Sequence, residues 1–283
     1  MIIIHREMAF VIPPSKLDTI KTVPMTSRVN ELPLLSLGHH SCLIKAREKL
    51  ASVAELPGMN DILKVLHSYH MDGEDVNILE LNETLQEAFY LHKGKEALPK
   101  TATMVGDEGK LPFLVSHLPG KLKIKVLPPN VKSLMSKLKK GEKKTDLFVV
   151  TGVEDPVTAL VIGLSAGSNN VCVKLSDYPL TQTLLALLSI YSHCFESVSL
   201  YRPLVVSPFQ ARATVFVIAK GMKGDVFSDI QPLIDKVSTA TEKEYVVNTF
   251  SDLTVPSETK AAVLSSNIKM IARDVCLIED LYK

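Results

Sequence analysis

The first residues whose spacing could do chemistry are Gly163-Leu164-Ser165-Ala166-Gly167, a Gly-x-Ser-x-Gly pentapeptide. In a serine hydrolase this motif is a strained strand-to-helix turn that presents the serine hydroxyl. Here the flanking pattern runs the other way. Val157, Leu160, Val161 and Leu164 recur at helical spacing before Ser165, and "VCVKL" (171–175) reads as a strand after it. Only His193 follows, on a predicted helix. The pentapeptide therefore reads as the end of a helix and a turn, and a hydrolase is not expected.

His39, His40 and Cys42 lie near one predicted strand end, and His67 and His70 stand three apart on a predicted helix. Imidazoles and thiols are metal ligands, but this spacing matches no zinc pattern, so no metal is expected. Cys42, Cys172, Cys194 and Cys276 form no C-x-x-C pair, which argues against a disulfide scaffold and for reduced, buried thiols at 172 and 194. There is no Walker A loop and no G-x-G-x-x-G; "LPLLSL" is followed by a single glycine, Gly38.

Lys174 is the most informative polar residue, because it interrupts an apolar strand. It either snorkels from the strand end to water or stands at the carboxyl end of a central parallel strand, where α/β folds bind ligands. In the second case desolvation would lower its pKa and suit it to proton transfer.

The third feature is electrostatic. "KLKIKVLPPNVKSLMSKLKKGEKK" (121–144) holds nine lysines and one glutamate, a local +8. The whole chain sums to +1, so the remainder carries −7. A basic block on an acidic protein points to a polyanion, most simply RNA, with Lys137, Lys139 and Lys140 as its candidate contacts.

The elements that must position these residues follow from periodicity. The chain of 283 residues, 46% hydrophobic and 22% charged, has the composition of an ordinary folded protein. No apolar run reaches the roughly 18–20 residues that span a bilayer, so an intracellular, soluble chain with no membrane partner is expected. Residues 1–30 read as irregular because Pro13, Pro14 and Pro24 interrupt them. Residues 32–38 read as a strand, 41–56 and 59–70 as helices, 76–81 as a strand and 82–98 as mostly helix. Segments 111–118 and 121–127 read as strands, the second half-exposed, and 130–144 as a basic amphipathic helix that ends near Gly141. From 146 onward the order is strand, helix, strand, helix, strand, loop, strand. Pro156 suits the first turn of the first helix and Pro179 that of the second. Such alternation predicts a parallel α/β sheet whose helix-free last connection permits an antiparallel final strand. Three segments are expected: an irregular 1–30, an α/β domain over 31–221, and a helical appendage over 222–283.

The layout of "DLFVVTG", "AGSNNVCVKL" and "FESVSLYRPLVVSPFQARATVFVIAKG" resembles the C-terminal half of the FtsJ/RrmJ-like RNA 2'-O-ribose methyltransferases, over about a quarter of the chain. That family includes cellular ribosomal-RNA enzymes and many viral cap methyltransferases. The resemblance implies a Rossmann-like methyltransferase sheet, mostly parallel with an antiparallel last strand. It also implies S-adenosylmethionine as cofactor and RNA as substrate in cap-type methylation. A Lys-Asp-Lys-Glu tetrad would deprotonate the ribose hydroxyl. Lys174 falls on the central lysine, Thr214 on the glutamate, and Thr151 or Gly152 near the aspartate, with Glu154 and Asp155 displaced. Lys21 or Arg28 would stand for the first lysine. The cofactor would lie against Gly38 in "SLGHHS", with Glu80 on its ribose. Because most of the tetrad is altered, two expectations stand together. One is a divergent RNA methyltransferase. The other is an inactive methyltransferase-like domain that binds RNA, or joins a protein partner or larger complex, as a scaffold.

Overall fold

The computed structural model describes residues 9–15, 80–90, 99–106, 122–130, 144–176, 181–203, 214–226 and 255–280, with isolated positions between them. Within these, seven strands form one sheet: β1 (Ala9–Ile12), β2 (Thr101–Val105), β3 (Lys123–Leu127), β4 (Leu147–Val150), β5 (Asn170–Leu175), β6 (Phe195–Tyr201) and β7 (Val215–Met222). Their order is β1-β6-β7-β5-β4-β2-β3. β3, β2, β4 and β5 pair in parallel, whereas β7 lies antiparallel between β5 and β6. The expected mixed α/β sheet with a reversed last strand is present, and five of the seven described strands point the same way.

β4, β5 and β7 are dominated by Val, Ile, Leu and Phe, as a sheet covered on both faces requires. Phe148, Val150, Val171, Val173, Val215 and Val217 pack on one side, with three helices: α1 (Pro156–Ser165), α2 (Gln182–Cys194) and α3 (Ser257–Asp280). Leu147, Val149, Cys172, Phe216 and Ile218 face the other side, onto Leu81, Leu85 and Phe89 of a helix spanning 80–90. The last five residues of that helix, Gln86–Tyr90, are a π-helical turn.

Local chemistry sets the helix ends. Asp155 caps α1, its carboxylate accepting from the Thr158 amide at 2.9 Å, and Pro156 occupies the first turn. α1 ends at Ser165, whose Oγ donates back to the Val161 carbonyl at 2.8 Å, and Gly167 then takes φ 56°. That turn feeds β5. Gly163 is where α1 lies tight on the sheet: a Cβ there would meet Val173 Cγ2 at 2.8 Å and the Tyr191 hydroxyl.

Several expectations need correction. Residues 9–12, read as irregular, form an edge strand antiparallel to β6, because Ala9–Ile12 lies clear of Pro13 and Pro14 and its amides are available to the ladder. The strand expected over 76–81 fails at Glu80 and Leu81, which are helical; Leu81 and Leu85 lie four apart and pack together on the sheet. α2 begins at Gln182 rather than at Pro179, because Thr181 supplies the cap to Leu184 while the Pro179 carbonyl accepts from Asn267. The strand β2 was not foreseen. α3 lies in the expected helical appendage, and its Val263, Met270 and Ile271 belong to the same core as α1 and α2. The helix expected over 41–56 is helical at its described positions. The elements expected over 32–38, 59–70 and 111–118 lie outside the described residues.

Candidate functional site

The carboxyl ends of β4 and β5 and the amino end of the antiparallel β7 bring together the positions that the tetrad alignment singled out. Val150 pairs with Val173, so Thr151 and Lys174 follow on neighbouring strand ends. Lys174 pairs with Phe216, two residues after Thr214. The strand alternation that sends Cys172 toward the 80–90 helix sends Lys174 the same way, and there it meets Glu80. Lys174 Nζ donates to Glu80 Oε2 at 2.8 Å, with 15% of the lysine side chain and 0% of the glutamate side chain exposed. The other carboxylate oxygen, Oε1, is buried with no hydrogen-bond partner. The pair is anchored by the helix, whose Thr84 hydroxyl donates to the Glu80 carbonyl at 2.6 Å.

The same helix makes two further polar links across the sheet. Tyr201 donates to Glu83 at 2.8 Å, and Lys220 donates to the Ala88 carbonyl and lies over the Phe89 ring at 5.2 Å. Burial pushes the Tyr201 hydroxyl well above its ordinary range, and the neighbouring Glu83 carboxylate adds to this. These links hold the helix in one register over β5, β6 and β7.

Beside the site, Arg202 is a buried tie between the sheet and α3. Its Nε and Nη2 reach Asp274 at 3.0 and 2.7 Å, and Nη1 donates to the Thr214 carbonyl at 2.9 Å. The Tyr178 hydroxyl donates to the same carboxylate. A bidentate guanidinium of this kind fixes both ends of the 202–214 connection to α3.

The described positions near the tetrad aspartate are engaged locally. Thr151 Oγ1 donates to the Val105 carbonyl at 3.2 Å, and Asp155 is committed to its helix cap. Lys21 and Arg28 lie outside the described residues, as do Gly38, Lys137, Lys139 and Lys140. Of the histidine and cysteine positions near the N-terminus, Cys42 alone is described, and it is exposed. Among the described residues no three metal-ligating side chains gather. His193 lies against the Leu17 amide and Ser15 carbonyl, tying the N-terminal segment to α2.

The sequence reading missed Gly106. It follows β2, which lies between β3 and β4, so the order of connections reverses between β2 and β4. Ligands of open α/β sheets bind at such a switch point. Here the close approach serves the protein itself. A Cβ on Gly106 would meet Thr151 Oγ1 at 2.7 Å, and one on Gly152 would meet Pro129 at 3.2 Å. The amides of Gly106, Thr151 and Gly152 donate to the carbonyls of Leu127, Val105 and Val105. The available signal was the β-branched "TATMV" followed directly by glycine.

Among the described residues, the carboxylate assigned to the cofactor ribose is buried against Lys174, and the amides of Gly106, Thr151 and Gly152 are engaged within the protein. No helix among the described residues is long and apolar enough to cross a membrane. Comparison with protein-family models and with curated proteins gives no match.

Proposed function

We propose that this chain is a methyltransferase-like α/β domain that acts as an RNA-binding scaffold, with a structural ion pair where the family resemblance would put a general base. The observation that carries the reading is Lys174 bound to the fully buried Glu80 at 2.8 Å. Lys174 Nζ is engaged within the protein by that carboxylate, whereas a general base must reach the proton of its substrate. Threonines stand at two of the positions where the resemblance would put carboxylates, Thr214 and Thr151. The fold supports the Rossmann-like half of the reading: a parallel β2-β4-β5 core followed by an antiparallel β7 between β5 and β6. RNA as partner is supported by the local +8 over 121–144. The rival reading, an active methyltransferase, rests on Lys174 standing at a strand's carboxyl end.

The test is calorimetric titration with S-adenosylmethionine, beside a methyl-transfer assay on RNA. The scaffold reading expects no binding heat and no transfer, with RNA still bound. Stoichiometric cofactor binding and transfer that Lys174→Met abolishes would restore the enzyme.

A further inference from the structure

The described part of the basic block lies at the far end of the sheet from Lys174. On β3, Ile124 and Val126 pack against the core beneath the 80–90 helix, so Lys123 and Lys125 project from the opposite face and are exposed. Lys100 precedes β2, and its carbonyl accepts the Lys123 amide at 2.9 Å. Lys144 precedes β4. Three exposed lysines, Lys100, Lys123 and Lys144, therefore stand where three adjacent parallel strands begin, with the exposed Lys125 two residues along β3. One described carboxylate accompanies them, Asp146, which accepts from the Lys100 and Thr101 amides at 2.9 and 3.0 Å. In sequence, Lys139, Lys140 and Lys143 stand within five residues of Lys144. A five-residue strand spans roughly 17 Å, which separates the corner from the Lys174 end.

We infer that RNA docks through its phosphates on the corner formed by Lys100, Lys123, Lys125 and Lys144, at the amino ends of β2 and β4 and along the first half of β3, away from Lys174. The inference rests on the RNA-binding reading above and adds the surface. Lys123 and Lys125 stand two apart on one strand, about 6.6 Å, a spacing suited to neighbouring phosphates along a strand. Lysines on flexible stems act as point charges, so they grip the backbone without reading bases. RNA held here is not delivered to Lys174, which agrees with a scaffold.

The experiment measures binding of a short unstructured RNA to the full chain between about 50 and 200 mM salt. The Lys123→Gln/Lys125→Gln variant is expected to bind more weakly, with the salt slope reduced by about 1.4, from roughly 0.7 per lost single-strand contact. Lys260→Gln/Lys269→Gln, the same charge change on α3, is expected to leave the slope unchanged. Lys100→Gln/Lys144→Gln, outside the strands, tests the same surface should the strand variant fail to fold. RNA binding with an unaltered slope in both corner variants overturns the surface while the RNA reading stands. Wild-type protein that binds no RNA at low salt overturns both. Binding to vesicles containing anionic lipid that the corner variants lose, with RNA binding intact, would assign the corner to a membrane surface instead.

Discussion

Removing the two ends of the Lys174–Glu80 pair should not cost the same. Lys174→Met leaves a carboxylate with 0% exposure and no cation, one of whose oxygens already lacks a partner. Uncompensated buried charge of this kind costs about 3–5 kcal/mol. Glu80→Gln keeps an amide oxygen near the ammonium, and the lysine, 15% exposed, can turn to water. Its cost is that of one weakened hydrogen bond, about 1–2 kcal/mol. At roughly 2–4 °C per kcal/mol for a chain somewhat smaller than this one, the melting temperature falls by roughly 6–20 °C for the first variant and roughly 2–8 °C for the second. The double variant Lys174→Met/Glu80→Leu replaces both charges with apolar groups and should recover most of the first loss. Thermal and urea unfolding followed by circular dichroism measure all three. A Glu80→Gln variant that loses as much as Lys174→Met, or a double variant whose loss is the sum of the singles, would refute the view that the buried carboxylate is the dependent partner.

Gly163→Ala drives a methyl into Val173 and the Tyr191 hydroxyl, which donates to the Leu160 carbonyl at 2.8 Å; about 1–3 kcal/mol of destabilisation is expected in urea unfolding. Asp146 has its carboxyl held below the ordinary 3.8 by the Lys100 amide first, against a smaller opposing effect of burial. Its stabilisation is therefore present above pH 3.8 and lost as pH falls through the lower folded value, so the stability gap between wild type and Asp146→Asn should close on acidification below that point. Burial pushes the Cys194 thiol up to about 12 and that of Cys172 higher still. A thiol reagent at neutral pH should therefore label the exposed Cys42 and Cys276 in the native protein and reach the other two only on unfolding.

What was legible in the sequence was local. The stripe ending at Leu164, the Asp155-Pro156 start and the glycine turn at Gly167 gave α1 and its exit into β5, and that order excluded a nucleophile at Ser165. The apolar runs from β4 to β7 and the helix-free connection before β7 announced the sheet and permitted its reversed strand. β2 escaped because "TATMV" is short and lies among lysines and glycines, and its identity as a strand comes from pairing with both β3 and β4. Residues 80–81 were misjudged because a short apolar run fits strand or helix alike until its packing face is known.

The candidate site divides along the same line. Sequence alone determined that a lysine interrupts an apolar strand and that lysines cluster over 121–144, because residue type and spacing are local properties. It could not determine which group faces Lys174. That depends on a contact 94 positions away in the chain, made by a helix laid across the sheet. Nor could it determine that Arg202 and Asp274, 72 positions apart, join the last helix to the 202–214 connection. Charges that far apart in the chain acquire partners only when strand order and helix register bring them within a few ångströms and exclude water. Tertiary structure therefore decided that the side chain facing Lys174 is Glu80.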